Sequence, residues 1–256
     1  GHFFGLMPFQ NKSMLHGVEL DKITGRILKQ LYPEGNMQVS GFEKAKGLAK
    51  NSMDVVISNF PFGSFSVLDK GYKEYSKWSI HNYFFGKSLD LVKPGGLVVG
   101  ITSHFTMDAV SNGNIRKALS EKGDLVGAIR LPYTAFKKDA GTEVVTDIIV
   151  FRKKDGTEQL GNRFRTSEEI KLRGGTANIN EYFVNNPDNI LGQNSLSGSM
   201  YGSDEYTVTP TMGANLTDQI SKAIEAFPQD IIGEGQATPL EKSVFAEEGE
   251  KEGVLY

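Results

Sequence analysis

Cysteine is absent from this 256-residue chain. Within it that excludes disulfides, thiolate metal sites and cysteine nucleophiles, and it fits a reducing compartment. Histidine is scarce. The four present, His2, His16, His81 and His104, never fall at metal-ligand spacing, so no metal is expected. No apolar run approaches the roughly 20 residues of a membrane helix, and no secretory leader opens the chain. An excess of basic charge is missing too. The formal net charge is −3, so any nucleic-acid partner must be argued from a site rather than from the overall field. There is no internal repeat. An initiator methionine is also lacking; the chain opens on GHFFGLMP and reads as a fragment.

What is present is ordinary for a globular protein: 39% hydrophobic and 23% charged residues. Between about 14 and 154 the pattern alternates. MLHGVEL is a short apolar run. DKITGRILKQLYP has helical spacing, with Ile23, Ile27, Leu28 and Leu31 on one face. NMQVSGF and SMDVVISNF are further strands, and the consecutive Val55, Val56 and Ile57 predict a strand covered on both faces. HNYFFGKSLDLVKPGG reads as a helix stopped by Pro-Gly-Gly. LVVGITS, LVGAIRLP and TDIIVFRKK are strands, and NIRKALSEKG is a helix. The alternation predicts an α/β, mostly parallel sheet. The last two strands are joined by a polar stretch without helical pattern, so the final strand is expected to be antiparallel. From 156 to 229 an extension follows whose only clear element is the amphipathic LTDQISKAIEAFP. Residues 230–256 read as an acidic linker or disordered tail.

In open α/β sheets, ligands bind beyond the carboxyl ends of the strands. Three such ends carry chemistry here: Glu19 and Asp21 in HGVELD, Phe42 and Glu43 in VSGFE, and Asn59-Phe60-Pro61-Phe62 in DVVISNFPFGSF. Each also has a plainer reading. Asp21 suits a helix cap, Phe42 a core position, and Asn59 a local Asx-turn. Together they make one coherent site on one rim.

SNFPFG resembles the Asn-Pro-Pro-Phe/Tyr motif of S-adenosylmethionine-dependent N6-adenine DNA methyltransferases, with Phe60 in place of the first proline. The likeness runs from Gly1 to about Lys154. It is strongest to the methylase region of large methylase–helicase (SNF2-type) proteins of bacterial mobile elements and phages, whose following segment NEYFVNNPDNILG also resembles. GHFFG, with Gly1 and Phe3, is similar to the end of the glycine-rich cofactor loop. GVELD, with Glu19 and Leu20, resembles the strand whose acid holds the cofactor ribose. VSGFE, with Phe42 and Glu43, resembles the segment bordering the cofactor adenine.

The resemblance implies a Rossmann-like class I methyltransferase sheet over residues 1–155. It implies S-adenosylmethionine as cofactor, DNA as partner, a helicase region acting alongside, and a bacterial cytoplasmic setting with no membrane. The catalytic set it implies is Asn59, Phe60, Pro61 and Phe62, with the Asn59 side-chain carbonyl and the Phe60 backbone carbonyl accepting the two N–H groups of the target amine. The family's first strand is absent from this chain; its place lies between the GVELD and DVVISN strands. This chain alone is therefore expected to bind cofactor weakly or not at all. Without a thiolate, methylation at cytosine carbon 5 is closed, while N4-cytosine, RNA and protein-amide methylation use similar turns. A module that keeps the fold to bind DNA or resist restriction without turnover is the rival reading. His81 is expected to cap or pack. Tyr75 and Trp78 are open between burial and the DNA side. Lys137, Lys138, Arg152, Lys153, Lys154, Arg163 and Arg165 are open between phosphate contact and a solvated face.

Overall fold

A computed structural model describes residues 2–7, 15–156, 161–198, 205–229 and 231. Gly1 lies outside them, as does the segment 230–256 apart from Ile231.

The fold opens with the one-turn α1 (His2–Gly5), then β1 (His16–Glu19), α2 (Lys22–Leu31) and β2 (Asn36–Val39). β1 and β2 pair in parallel. Asp21 caps α2: its carboxylate accepts from Thr24 N at 2.7 Å, satisfying an amide that the first turn leaves free. Leu28 is buried with Leu15 and Met37, and Phe4 of α1 meets Tyr32 edge-on at 5.4 Å. Ile23, Ile27 and Leu31, on the same helix, stay more than half exposed.

The main sheet follows: β3 (Met53–Asn59), α3 (Ile80–Leu91), β4 (Val92–Ser103), the one-turn α4 (Phe105–Asp108), α5 (Gly113–Lys122), β5 (Gly123–Leu131), the one-turn α6 (Lys137–Ala140) and β6 (Thr146–Lys153). Its spatial order is β3-β4-β6-β5. β3 and β4 are parallel. β6 runs antiparallel to both its neighbours, as its helix-poor approach predicts. α3 is buried nearly all round, from His81 to Leu91 with Phe84 the exception. It is therefore enclosed on every side rather than striped, and its polar residues His81, Asn82, Lys87, Ser88 and Asp90 are buried with the apolar ones.

One expectation fails. β3 is not covered on both faces: Val56 packs against the core, but Val55 and Ile57 are 45% and 40% exposed. Successive side chains of a strand point to opposite faces, and no described element covers the second one. Among the described strands β3 pairs only with β4, and β1 only with β2.

The extension is more structured than its sequence suggests. β7 (Ser167–Leu172) and β8 (Gly175–Asn180) form one hairpin, and β9 (Gln193–Gly198) and β10 (Glu205–Thr209) another. Between them lies α7 (Glu181–Asn185), and α8 (Leu216–Glu225) ends the described fold, bar a few residues. Phe164, Ile179, Tyr182, Phe183 and Val208 of this region join Phe85, Ile149 and Phe151 in a single core. Among the described residues no helix is long and apolar enough to cross a membrane, and no group of three His, Asp or Glu is placed to hold a metal.

Candidate active site

The ladder between β3 and β4 extends one residue past the strand, with Phe60 N donating to Ile101 O at 2.9 Å. The turn 59–62 therefore leaves the sheet at the carboxyl ends of two parallel strands. The Phe60 ring points inward and is 2% exposed. It lies edge-on to Phe85 at 4.6 Å and tilted against Phe84 at 5.4 Å. A proline at this position would set φ through its own ring; here the buried aromatic anchors the backbone by packing. Asn59 is exposed, Pro61 is half-buried, and Phe62 keeps 40% of its surface free. The far side of the loop is tied to α3, whose Ile80 N donates to Phe65 O at 2.8 Å.

Space for the anchor comes from Gly100 on β4. A Cβ there would lie 2.6 Å from the Phe60 ring and 2.7 Å from Phe85. Gly100→Ala is expected to lower stability by roughly 1–3 kcal/mol through overpacking. It should also shift the Phe60 carbonyl, so that activity falls even at a temperature where the variant is fully folded. Thermal melts beside initial-rate assays check this.

Phe42 sits in the single 3-10 turn after β2. Its carbonyl accepts from Lys87 Nζ at 2.6 Å, and its ring lies 4.4 Å from the same nitrogen. Lys87 pairs with Asp69 at 2.8 Å, both side chains being about 95% buried. Tyr83 Oη donates to the same carboxylate at 2.6 Å. Burial pushes the Asp69 carboxyl up, but the hydrogen bonds from Lys87 and Tyr83 outweigh it and hold the group below the usual range. Phe84 touches Phe42 at 4.8 Å on one side and Phe60 on the other. One helix thus joins the segment after β2 to the turn after β3. Lys87 and Asp69 escaped sequence reasoning; the one signal was a lysine directly after the apolar run YFFG, inside a helix.

The remaining residues of interest are less connected. Glu19 accepts from Asp21 N at 2.9 Å, Leu20 is 74% exposed, and Phe3 is half-buried. Glu43 is half-buried beside Lys44 at 3.8 Å. No described contact ties these four to the turn. His81 is buried with Nε2 3.0 Å from Ser79 Oγ, and burial lowers its pKa, which suits packing. Tyr75 is buried, donating to Asp90 at 2.7 Å, with Trp78 against its ring. Much of the basic set is engaged internally: Lys137 with Glu143, Arg152 with Asp155, Lys154 with Asp124, and Lys153 with backbone carbonyls of residues 90 and 92. Arg163 and Arg165 are exposed.

An α/β sheet with parallel β3 and β4, an antiparallel β6 and this turn at the carboxyl rim is a Rossmann-like class I methyltransferase fold. Residues 6–136 match the Eco57I restriction-modification methylase family, and the chain belongs to it. It is 33% identical over 145 residues to the defense against restriction protein B of Escherichia phage P1, covering 55% of this chain and 6% of that protein. It is also similar to a class I S-adenosylmethionine-dependent methyltransferase from Listeria monocytogenes, at 20% identity over 59% of this chain and 48% of that one, with a TM-score of 0.48. A type I restriction-modification methyltransferase subunit from Streptococcus thermophilus is 19% identical, over 55% of this chain and 34% of that one, with a TM-score of 0.45. The chain thus spans only a small part of the phage protein and less than half of each of these two structures.

Proposed function

We propose that this chain carries the catalytic part of a DNA methyltransferase that acts on the N6 amine of adenine in a flipped-out base. The observation that carries the reading is the turn: an exposed Asn59 followed by a residue whose ring is locked in the core and whose carbonyl is thereby fixed in place. An exocyclic amine is a poor nucleophile because its lone pair is delocalised into the ring. Two acceptors, the Asn59 side-chain carbonyl and the Phe60 backbone carbonyl, each take one N–H and aim the lone pair. When bound, S-adenosylmethionine supplies an electrophilic sulfonium methyl. Transfer of that methyl would leave the cofactor as its thioether, and the surplus amine proton would pass to solvent afterwards. Positioning and electrostatics carry the rate, without a covalent enzyme intermediate. The free face of Phe62 stacks on the extruded base, a contact of about 1–3 kcal/mol.

The cofactor side fits the same reading. Ser40 Oγ, next to Gly41 and Phe42, is buried without a hydrogen-bond partner among the described residues, and the Phe42 ring is half-buried beside it. With the cofactor bound, Phe42 would border its adenine and Glu19 would hold its ribose, with Phe3, Leu20 and Glu43 nearby. A helicase region acting in the same polypeptide completes the proposed setting.

The test is radiolabelled methyl transfer to unmethylated plasmid by the full-length protein, beside Asn59→Ala. Loss of one such polar contact is expected to cut turnover roughly 10²–10³-fold. Label on cytosine would overturn the base assignment. The name of the phage relative, defense against restriction, favours a second reading, an anti-restriction module; equal background in wild type and variant would favour a form of that module without turnover.

A further inference from the structure

A cleft of about 360 Å³ lies between the end of β4 and the extension, within the range of small-molecule sites. One wall is His104 and Phe105; the other is formed by Thr176 and Asn178 of β8 and by Glu205 and Tyr206 of β10. His104 comes three residues after Ile101, the partner of Asn59. The cleft therefore opens on the same carboxyl rim as the turn 59–62, about one strand over.

Its walls are prearranged. Arg130 is fully buried behind them, bidentate to Asp147 and bonded to Asp108. Asp108 also faces His104 Nδ1 at 3.0 Å. A carboxylate only accepts, so Nδ1 donates to Asp108, and that bond orients the ring. The Tyr206 hydroxyl accepts from Arg130 at 3.1 Å and donates to Asn194 at 2.8 Å, which fixes its ring. The His104 ring lies between those of Phe105 and Tyr206, at 4.1 and 5.6 Å. Phe105 is 44% exposed.

The chemistry of these walls is selective. No lysine or arginine lines the cleft among the described residues, and Arg130 is neutralised by its two carboxylates. Glu205 would repel a phosphate. Aromatic faces favour a planar ring, while Glu205 is an acceptor for an amine. Thr176 and Asn178 read a mixed edge.

We infer that this cleft is a second nucleobase subsite, taking an amine-bearing base of the substrate strand near the target, with Phe105 as stacking face and Asn178 and Glu205 as specificity-determining groups. It rests on the reading of DNA as substrate. The extension β7–β10 then serves to choose sequence context.

The probe is a single-stranded oligonucleotide with one 2-aminopurine, and a twin with an abasic position, titrated into the full-length protein and followed by fluorescence. Wild type is expected to prefer the intact strand. Phe105→Ala and Asn178→Ala, both at exposed positions, should each weaken that binding roughly 5- to 150-fold, with circular dichroism unchanged. In a methylation assay on randomised duplexes, Glu205→Gln should relax selectivity at one position near the target. Equal binding of intact and abasic strands, or variants indistinguishable from wild type, overturns the inference. So does free adenosine binding as tightly as the strand, which would mark a nucleoside site instead. The binding measurement needs no turnover, so absence of methyl transfer would sink the methylase reading and leave this result readable.

Discussion

Arg130→Met is expected to destabilise the protein by roughly 3–5 kcal/mol, enough to threaten folding of a domain whose whole stability is of that order to about 15. Arg130 has no exposed surface, and its guanidinium makes paired bonds at 2.8 Å to Asp147 while also reaching Asp108. Burial alone would lower its pKa, but the two carboxylates outweigh that and hold it well above the usual range. Methionine fills similar space without charge, so the loss reflects two buried carboxylates left without their cation, not a cavity. The decisive comparison is the triple replacement Arg130→Met, Asp108→Leu and Asp147→Leu. Exchanging a complete buried ion cluster for apolar groups is often neutral. The triple variant should therefore recover part of the stability measured by urea titration, less the bonds that Asp108 accepts from His104 and from Asn180 N. A single variant as stable as wild type would show that the cluster is not held as described.

Lys87→Met is expected to lower stability by about 3 kcal/mol at neutral pH and to impair the cofactor side beyond that. Its ammonium is the partner of Asp69 and of the Phe42 carbonyl. In the wild type the Asp69 pKa is depressed, so the stabilisation from this pair is complete above about pH 4 and is lost as pH falls through the folded-state value. In the variant Asp69 is a buried carboxylate without its cation, and burial raises its pKa. The deficit relative to wild type is thus largest at neutral pH and narrows as acid protonates Asp69. Denaturant titrations at several pH values check the slope; a deficit constant from pH 7 to 4 would contradict it. Because Lys87 holds Phe42, and Phe84 links Phe42 to Phe60, KM for the methyl donor should rise more than kcat falls.

The alternation of strand and helix and the turn were legible in the sequence for a local reason. Val55 to Ile57 followed by Asn59-Phe60-Pro61-Phe62 combines a strand run with an abrupt stop, and the next helix and strand repeat the pattern. The antiparallel last strand was legible because its connection is polar and poor in helix. The cover of β3 was not legible. A run of β-branched residues reports preference for a strand, not whether a neighbour covers the second face, and here Val55 and Ile57 face none. The hairpins of the extension were hidden because stretches such as SEEIKL have one polar face and a weak alternation. Each strand's partner is close in the chain, but the core that the hairpins cover, with Phe85, Ile149 and Phe151, comes from distant segments.

By itself, then, the sequence determined the α/β alternation, the cap at Asp21, and an amide-aromatic-proline-aromatic turn at a strand end. These depend on backbone preference and on residues within one turn or strand of each other. Tertiary structure alone decided that Phe60 points into the core under Gly100, that Lys87 grips Phe42 across 45 residues of chain, and that Arg130 gathers Asp108 and Asp147 behind the cleft at His104. Buried charges and close ring contacts are settled by which distant segments share a core, and no local pattern encodes that.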